Sequence, residues 1–70
     1  MNDSYPLFEV IDHNGEPVSV VVWQVRAIRE TKVAGRTVTR IEYANGDTLD
    51  LAPSEYATMV IIRLNEAARR

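Results

Sequence analysis

Few side chains in this sequence can do covalent chemistry. Its 70 residues include one histidine and no cysteine. A hydrolytic nucleophile needs a base beside it, and His13 is the sole imidazole. His13 adjoins Asn14-Gly15, a turn signal, where a histidine is ordinarily solvated. A structural zinc site usually takes four Cys or His ligands, so neither a metal nor a cofactor is expected. Asp12 and Glu16 flank one turn, and Asp47 and Asp50 follow another. Carboxylates at hairpin ends serve solubility and turn formation before acid–base work. Three glycines, and no Lys-Ser or Lys-Thr after either Asn-Gly, make no phosphate-cradling loop. The chain is therefore read as a non-enzyme with no small-molecule substrate.

Charge is the next feature able to recognise anything. The formal net charge is only -2, yet it is segregated. Residues 1–25 carry -4, residues 26–40 carry +4, residues 41–55 carry -4 and residues 56–70 carry +2. Arg26, Arg36 and Arg40 are expected on one face of a central hairpin, with Lys32 at its turn. Such a face can grip phosphates in a salt-dependent way. The plainer reading is a solvated sheet face balanced by cross-strand acids such as Glu42 and Asp50. A pI near 5.2 is low for a dedicated nucleic-acid domain.

The elements that position these groups follow from turn residues and alternation. At 46% hydrophobic content the chain should fold. A chain this short buries only roughly 60% of its unfolded surface, so one domain spanning residues 1–70 is the economical reading. Without disulfides, so small a core leans on close packing, oligomerisation or a partner. No apolar run approaches the roughly 20 residues that span a bilayer. Met1-Asn2-Asp3-Ser4 has an acid and no base, unlike a signal peptide, and a cytoplasmic location is expected.

Asn14-Gly15 and Asn45-Gly46 each separate two apolar stretches and read as two-residue hairpin turns. Ala34-Gly35 is a softer turn between Val25–Thr31 and Arg36–Tyr43. Thr39, Ile41 and Tyr43 alternate with Arg40 and Glu42, and Leu49 and Leu51 alternate with Thr48 and Asp50. A period of two puts one face in a core and one in water. Val18 to Ile28 is too evenly apolar for one alternating strand, so a bend or bulge is expected near Trp23-Gln24.

After Ala52-Pro53 the pattern becomes helical over residues 55–69, with Ser54 as N-cap, Glu55 in the first turn and Arg69-Arg70 at the end. The β-branched run Val60-Ile61-Ile62 keeps a strand as the minority reading. At about 100° per residue, Tyr56, Ala57, Val60, Ile61, Leu64, Ala67 and Ala68 share an arc of roughly 140° that should cover the sheet. Met59 and Ile62 lie off it, among Arg63, Glu66 and Arg70. Two apolar residues on a polar side hint at a second contact surface. The alternative is a helix buried more deeply than its pattern suggests.

The sequences Val25-Arg26-Ala27-Ile28-Arg29-Glu30-Thr31 and Arg40-Ile41-Glu42-Tyr43-Ala44-Asn45-Gly46-Asp47-Thr48-Leu49-Asp50-Leu51, followed by Ser54, resemble the small FlbD-type flagellar proteins. A similar pattern occurs in LytTR-type DNA-binding modules. The resemblance covers roughly residues 20–64 and rests mostly on hairpin residues. It implies a β-rich module with a C-terminal helix and a regulatory or accessory role. This chain departs from that plan in its additional N-terminal acidic hairpin, its terminal Arg69-Arg70 and its short length. The resemblance therefore carries over no binding residue. Size and composition also suit small phage-encoded regulators that bind a host protein.

The fold expected is α+β: an antiparallel meander of four to five strands, curled towards a half-barrel, with one C-terminal helix. Its core should include Phe8, Val10, Val20, Val22, Ile28, Ile41, Tyr43, Leu49, Leu51, Val60 and Leu64, and an edge strand should stay open. The first functional reading is a small regulatory protein-interaction module that binds another protein or itself. Trp23, Met59, Ile62 and Arg63 are its candidate contacts. Trp23 is read first as a core anchor and second as an interface residue. The alternative is a nucleic-acid-binding regulator using Arg26, Lys32, Arg36 and Arg40. A purely structural subunit comes third.

Overall fold

The structure is a computed structural model that describes residues 6–69. Met1-Asn2-Asp3-Ser4 and Arg70, both used above, lie outside the described residues. Among the described residues, five antiparallel strands and one α-helix make an α+β fold. Strand β1 (Leu7–Ile11) pairs with β2 (Pro17–Val21). Strands β3 (Val25–Val33), β4 (Arg36–Tyr43) and β5 (Thr48–Asp50) form a second sheet in that order. Helix α1 (Ala57–Ala68) closes the chain.

The expected bend is real and divides the strands into two sheets. Val22–Gln24 forms one 3-10 turn, and β3 then shifts register between Val25 and Ala27, the signature of a bulge at Arg26. The sheets meet again where Asp12 bridges Leu51, but they do not close into a barrel.

The turns reverse the expectation. Gly15 N–H donates to the Asp12 carbonyl and Asp12 N–H to the Glu16 carbonyl, both at 2.9 Å, which makes a three-residue loop. Gly46 N–H donates to the Tyr43 carbonyl and Tyr43 N–H to the Asp47 carbonyl in the same way. Only the glycines take positive φ there, +84° and +96°, which fits a type I turn followed by a left-handed glycine. Side-chain bonds stabilise this form: Asp12 Oδ1 accepts from the N–H groups of Asn14 and Glu16, and Asn45 Oδ1 accepts from Asp47 N–H. The two-residue turn is Ala34-Gly35, where Val33 faces Arg36 and both turn residues have positive φ, 52° and 80°.

Phe8, Val10, Val20, Ile41, Leu51, Val60 and Ala67 are buried. Val18, Val22, Val25, Ile28, Tyr43, Leu49 and Leu64 pack around them, so every expected core residue joins the cluster. The helix starts later than the sequence suggests. Tyr56, in extended backbone, precedes it, and Ser54 lies in a turn before that, where Glu55 N–H donates to the Ala52 carbonyl. Ser54 is therefore not its N-cap, and Glu55 is not in its first turn. The buried face is narrower than the expected arc. Val60 and Ala67 are buried and Ala57 and Leu64 partly so, while Tyr56, Ile61 and Ala68 are exposed. The helix packs against β1, β3 and the 3-10 turn.

Candidate protein-contact surface

How α1 is held decides which of its residues face outward. Along β1, Asp12 N–H points at β2, so the odd-numbered residues turn their backbone groups outward. Ile11 N–H donates to Glu55 Oε2 at 2.7 Å. Arg63 Nη1 donates to the Glu9 carbonyl at 3.2 Å, and Ala52 N–H to the Ile11 carbonyl at 2.9 Å. Arg63 also grips Glu55 bidentately, at 2.7 and 3.1 Å. Glu55 is 6% exposed, so this forked bond is partly dehydrated. The Arg63 hydrogen bonds hold the Glu55 carboxyl below the usual range against burial, with further help from Ile11 N–H and the Arg63 charge.

Arg63, grouped above with the contact residues, is therefore turned into the molecule. Its guanidinium ties α1 to β1 and to the loop before the helix. Sequence reasoning missed Glu55 as its partner because no local spacing rule joins residues eight apart.

Met59 and Ile62 do lie on the outer side of α1, 49% and 50% exposed. Ile61 and Tyr56 add apolar surface on either side of them at 40% and 64%. Thr58, Asn65 and Glu66 are the polar residues of the same outer side. Trp23 is not a core anchor: it is 68% exposed on the 3-10 turn, against which α1 packs. Of the turn's residues Val22 packs against the core, and Val25, the first residue of β3, packs there next to it.

The basic residues gather on the outer face of the β3-β4-β5 sheet. Ile28 opposite Ile41 and Ile41 opposite Leu49 mark the inner face. By alternation Arg29, Arg36, Arg40, Glu42 and Asp50 belong to the other side. Arg26, at the bulge, shares a shallow hollow with Glu42 and Thr48. Arg40 and Asp50 form a bidentate pair at 2.6 and 3.0 Å, and Arg29 meets Glu42 at 2.9 Å. The Arg40 hydrogen bonds, then its charge and that of His13, hold the Asp50 carboxyl below its usual range despite partial burial. Lys32 faces Thr37 on the opposite side of the hairpin. The structure thus brings Arg26, Arg36 and Arg40 to one face, separates Lys32 from them, and engages Arg40 internally.

His13 sits beside Asp50, its backbone N–H donating to the Asp50 carbonyl at 3.1 Å. A hollow of about 280 Å³ lies between the 3-10 turn and the β4-β5 loop, lined by Gln24, Tyr43, Ala44 and Asn45. Burial, then the charge of Asp47, pushes the Tyr43 hydroxyl above its ordinary range. No described helix is long and apolar enough to cross a membrane. In comparisons with protein families, curated proteins and solved structures, nothing matches this chain.

Proposed function

We propose that this chain is a small, non-enzymatic regulatory module that binds another protein or itself through the outer side of α1. The observation that carries the reading is the exposed apolar group Met59, Ile61 and Ile62 on a helix whose opposite side is occupied by the core. Side chains half in water lose little stability when made polar, yet dehydrate favourably against a partner. Trp23, of a residue type enriched in interface hot spots, is a second contact.

The test is the double variant Met59→Asp with Ile62→Asp. Circular dichroism and the urea midpoint should stay close to the parent. Self-association in sedimentation velocity, or retention of specific protein partners from bacterial lysate, should be lost. Retained association by a folded double variant, or unfolding of that variant, defeats the reading.

The second reading, a nucleic-acid-binding regulator, is favoured by Arg26, Arg29, Arg36 and Arg40 sharing one sheet face. Against it, two of the four already pair with acids. It requires binding to a DNA or RNA duplex that weakens steeply with salt and disappears in Arg26→Glu with Arg36→Glu. Salt-insensitive capture excludes it.

A further inference from the structure

The outer edge of β3 is a second exposed feature, distinct from the outer side of α1, although Glu30 also borders a shallow hollow with Pro53, Glu55 and Tyr56 of the segment before the helix. In a two-residue hairpin the pair flanking the turn, Val33 and Arg36, exchanges backbone hydrogen bonds. Arg29, Thr31 and Val33 then point their backbone groups at β4. A bond on the far side of β4 agrees: Leu51 N–H donates to the Thr39 carbonyl at 3.0 Å, so Thr39, opposite Glu30, points away from β3. Ile28, Glu30 and Lys32 must therefore turn their N–H and C=O groups outward. None of these groups meets a backbone or side-chain partner among the described residues. Unpaired edges of this length invite a further strand.

The side chains on that edge say which strand. Glu30 and Lys32 lie on the same face, two residues apart, with opposite charge. Both are exposed, and neither forms an ion pair with a described residue. Charges on an edge deter most strands. A second copy of the same strand, run antiparallel about a two-fold axis at Thr31, is the exception. That register sets Glu30 opposite Lys32 of the second copy and Lys32 opposite its Glu30, while Thr31 meets Thr31. Each Glu30–Lys32 pair uses the outward backbone groups, so hydrogen bonding and charge matching select the same register. Opposite charges and Thr–Thr pairs are both favourable across strands. A shift of two residues in one direction sets Glu30 against Glu30, and in the other Lys32 against Lys32. Like charges directly opposite are destabilising, so both alternatives are disfavoured. The site also lies beyond the bulge at Arg26, which distorts the other end of the strand.

We propose that two copies of this chain associate edge to edge through β3, in the antiparallel register centred on Thr31. Sedimentation equilibrium of the full chain at low salt measures it. Glu30→Lys and Lys32→Glu should each weaken dimerisation by roughly tenfold or more, since each replaces two attractions with two repulsions. The double swap Glu30→Lys with Lys32→Glu should restore it, and an equimolar mixture of the two single variants should form a heterodimer. Amide exchange at Ile28, Glu30 and Lys32 should slow with rising protein concentration while that of Val10 does not. A parent chain that stays monomeric at millimolar concentration overturns the proposal, as does a double swap no better than its single variants. Loss of association in Met59→Asp with Ile62→Asp, with the β3 variants unaffected, would support α1 and reject β3.

Discussion

Along β1 the outward N–H of Ile11 and the outward carbonyls of Glu9 and Ile11 all have protein partners. Along β3 the outward groups of Ile28, Glu30 and Lys32 have none among the described residues. Both strands end a sheet, and both have charged groups at the edge. The difference lies in where those charges come from. At β1 they arrive from the other end of the chain, as a Glu55–Arg63 pair that bonds the strand's own backbone. At β3 they belong to the strand itself and stay in water. A charge pair seals an edge when tertiary packing holds it against the backbone. Charges within the strand leave the edge open and make it selective.

The largest effect should come from breaking the sealed edge. Glu55→Ala leaves Ile11 N–H without its acceptor and Arg63 with only the Glu9 carbonyl. A fully buried pair broken this way costs more, but the Arg63 side chain is 35% exposed, so about 2–3 kcal/mol is expected. Urea unfolding measures it, and a loss too small to detect would mean that water replaces Glu55 easily. Glu30→Lys should change stability little by comparison, because Glu30 is exposed and forms no ion pair with a described residue.

Acidification probes the same pair more gently. The Glu55 and Asp50 carboxyls are both held below their ordinary values, 4.5 and 3.8. Each binds its proton more readily when unfolded, so its stabilisation is complete above the unfolded value and is lost as pH falls through the folded one. The urea midpoint should therefore decline from about pH 5 downward. Glu55→Gln should flatten that decline more than Asp50→Asn, because Glu55 holds backbone as well as a guanidinium. Equal flattening would place the two pairs on the same footing.

The smallest effect lies at the tip of the open-edged hairpin. Ala34 takes φ +52°, which suits glycine better. Ala34→Gly should relieve that strain, partly offset by the extra freedom of the unfolded chain, for a gain of about 0.5 kcal/mol. Thermal unfolding would register it. A loss would show that Ala34 carries no strain in this turn.

Much of the fold was legible because its signals are local. Alternation in Thr39 to Tyr43 and Leu49 to Leu51 identified buried faces, and glycine placed three reversals. The turn types were not legible from residue pairs alone: Asn14-Gly15 and Asn45-Gly46 became three-residue loops because Asp12 and Asn45 side chains bond the loop backbone. Of the candidate contacts, Met59 and Ile62 lie where helical periodicity put them. Arg63 does not, since its partner Glu55 lies before the helix, outside any helical spacing rule, and the β1 carbonyl it reaches is distant in sequence. Trp23 could not be placed from its type, because an indole suits a core and an interface alike.

Local pattern along the chain was enough to set the two kinds of element, their order and the composition of the core, since burial of apolar side chains follows the periods of strand and helix. It also set the segregation of charge. Packing between distant segments chose which charges are engaged and which remain available. An ion pair or an edge bond depends on distances between segments, and no period along the chain encodes those distances.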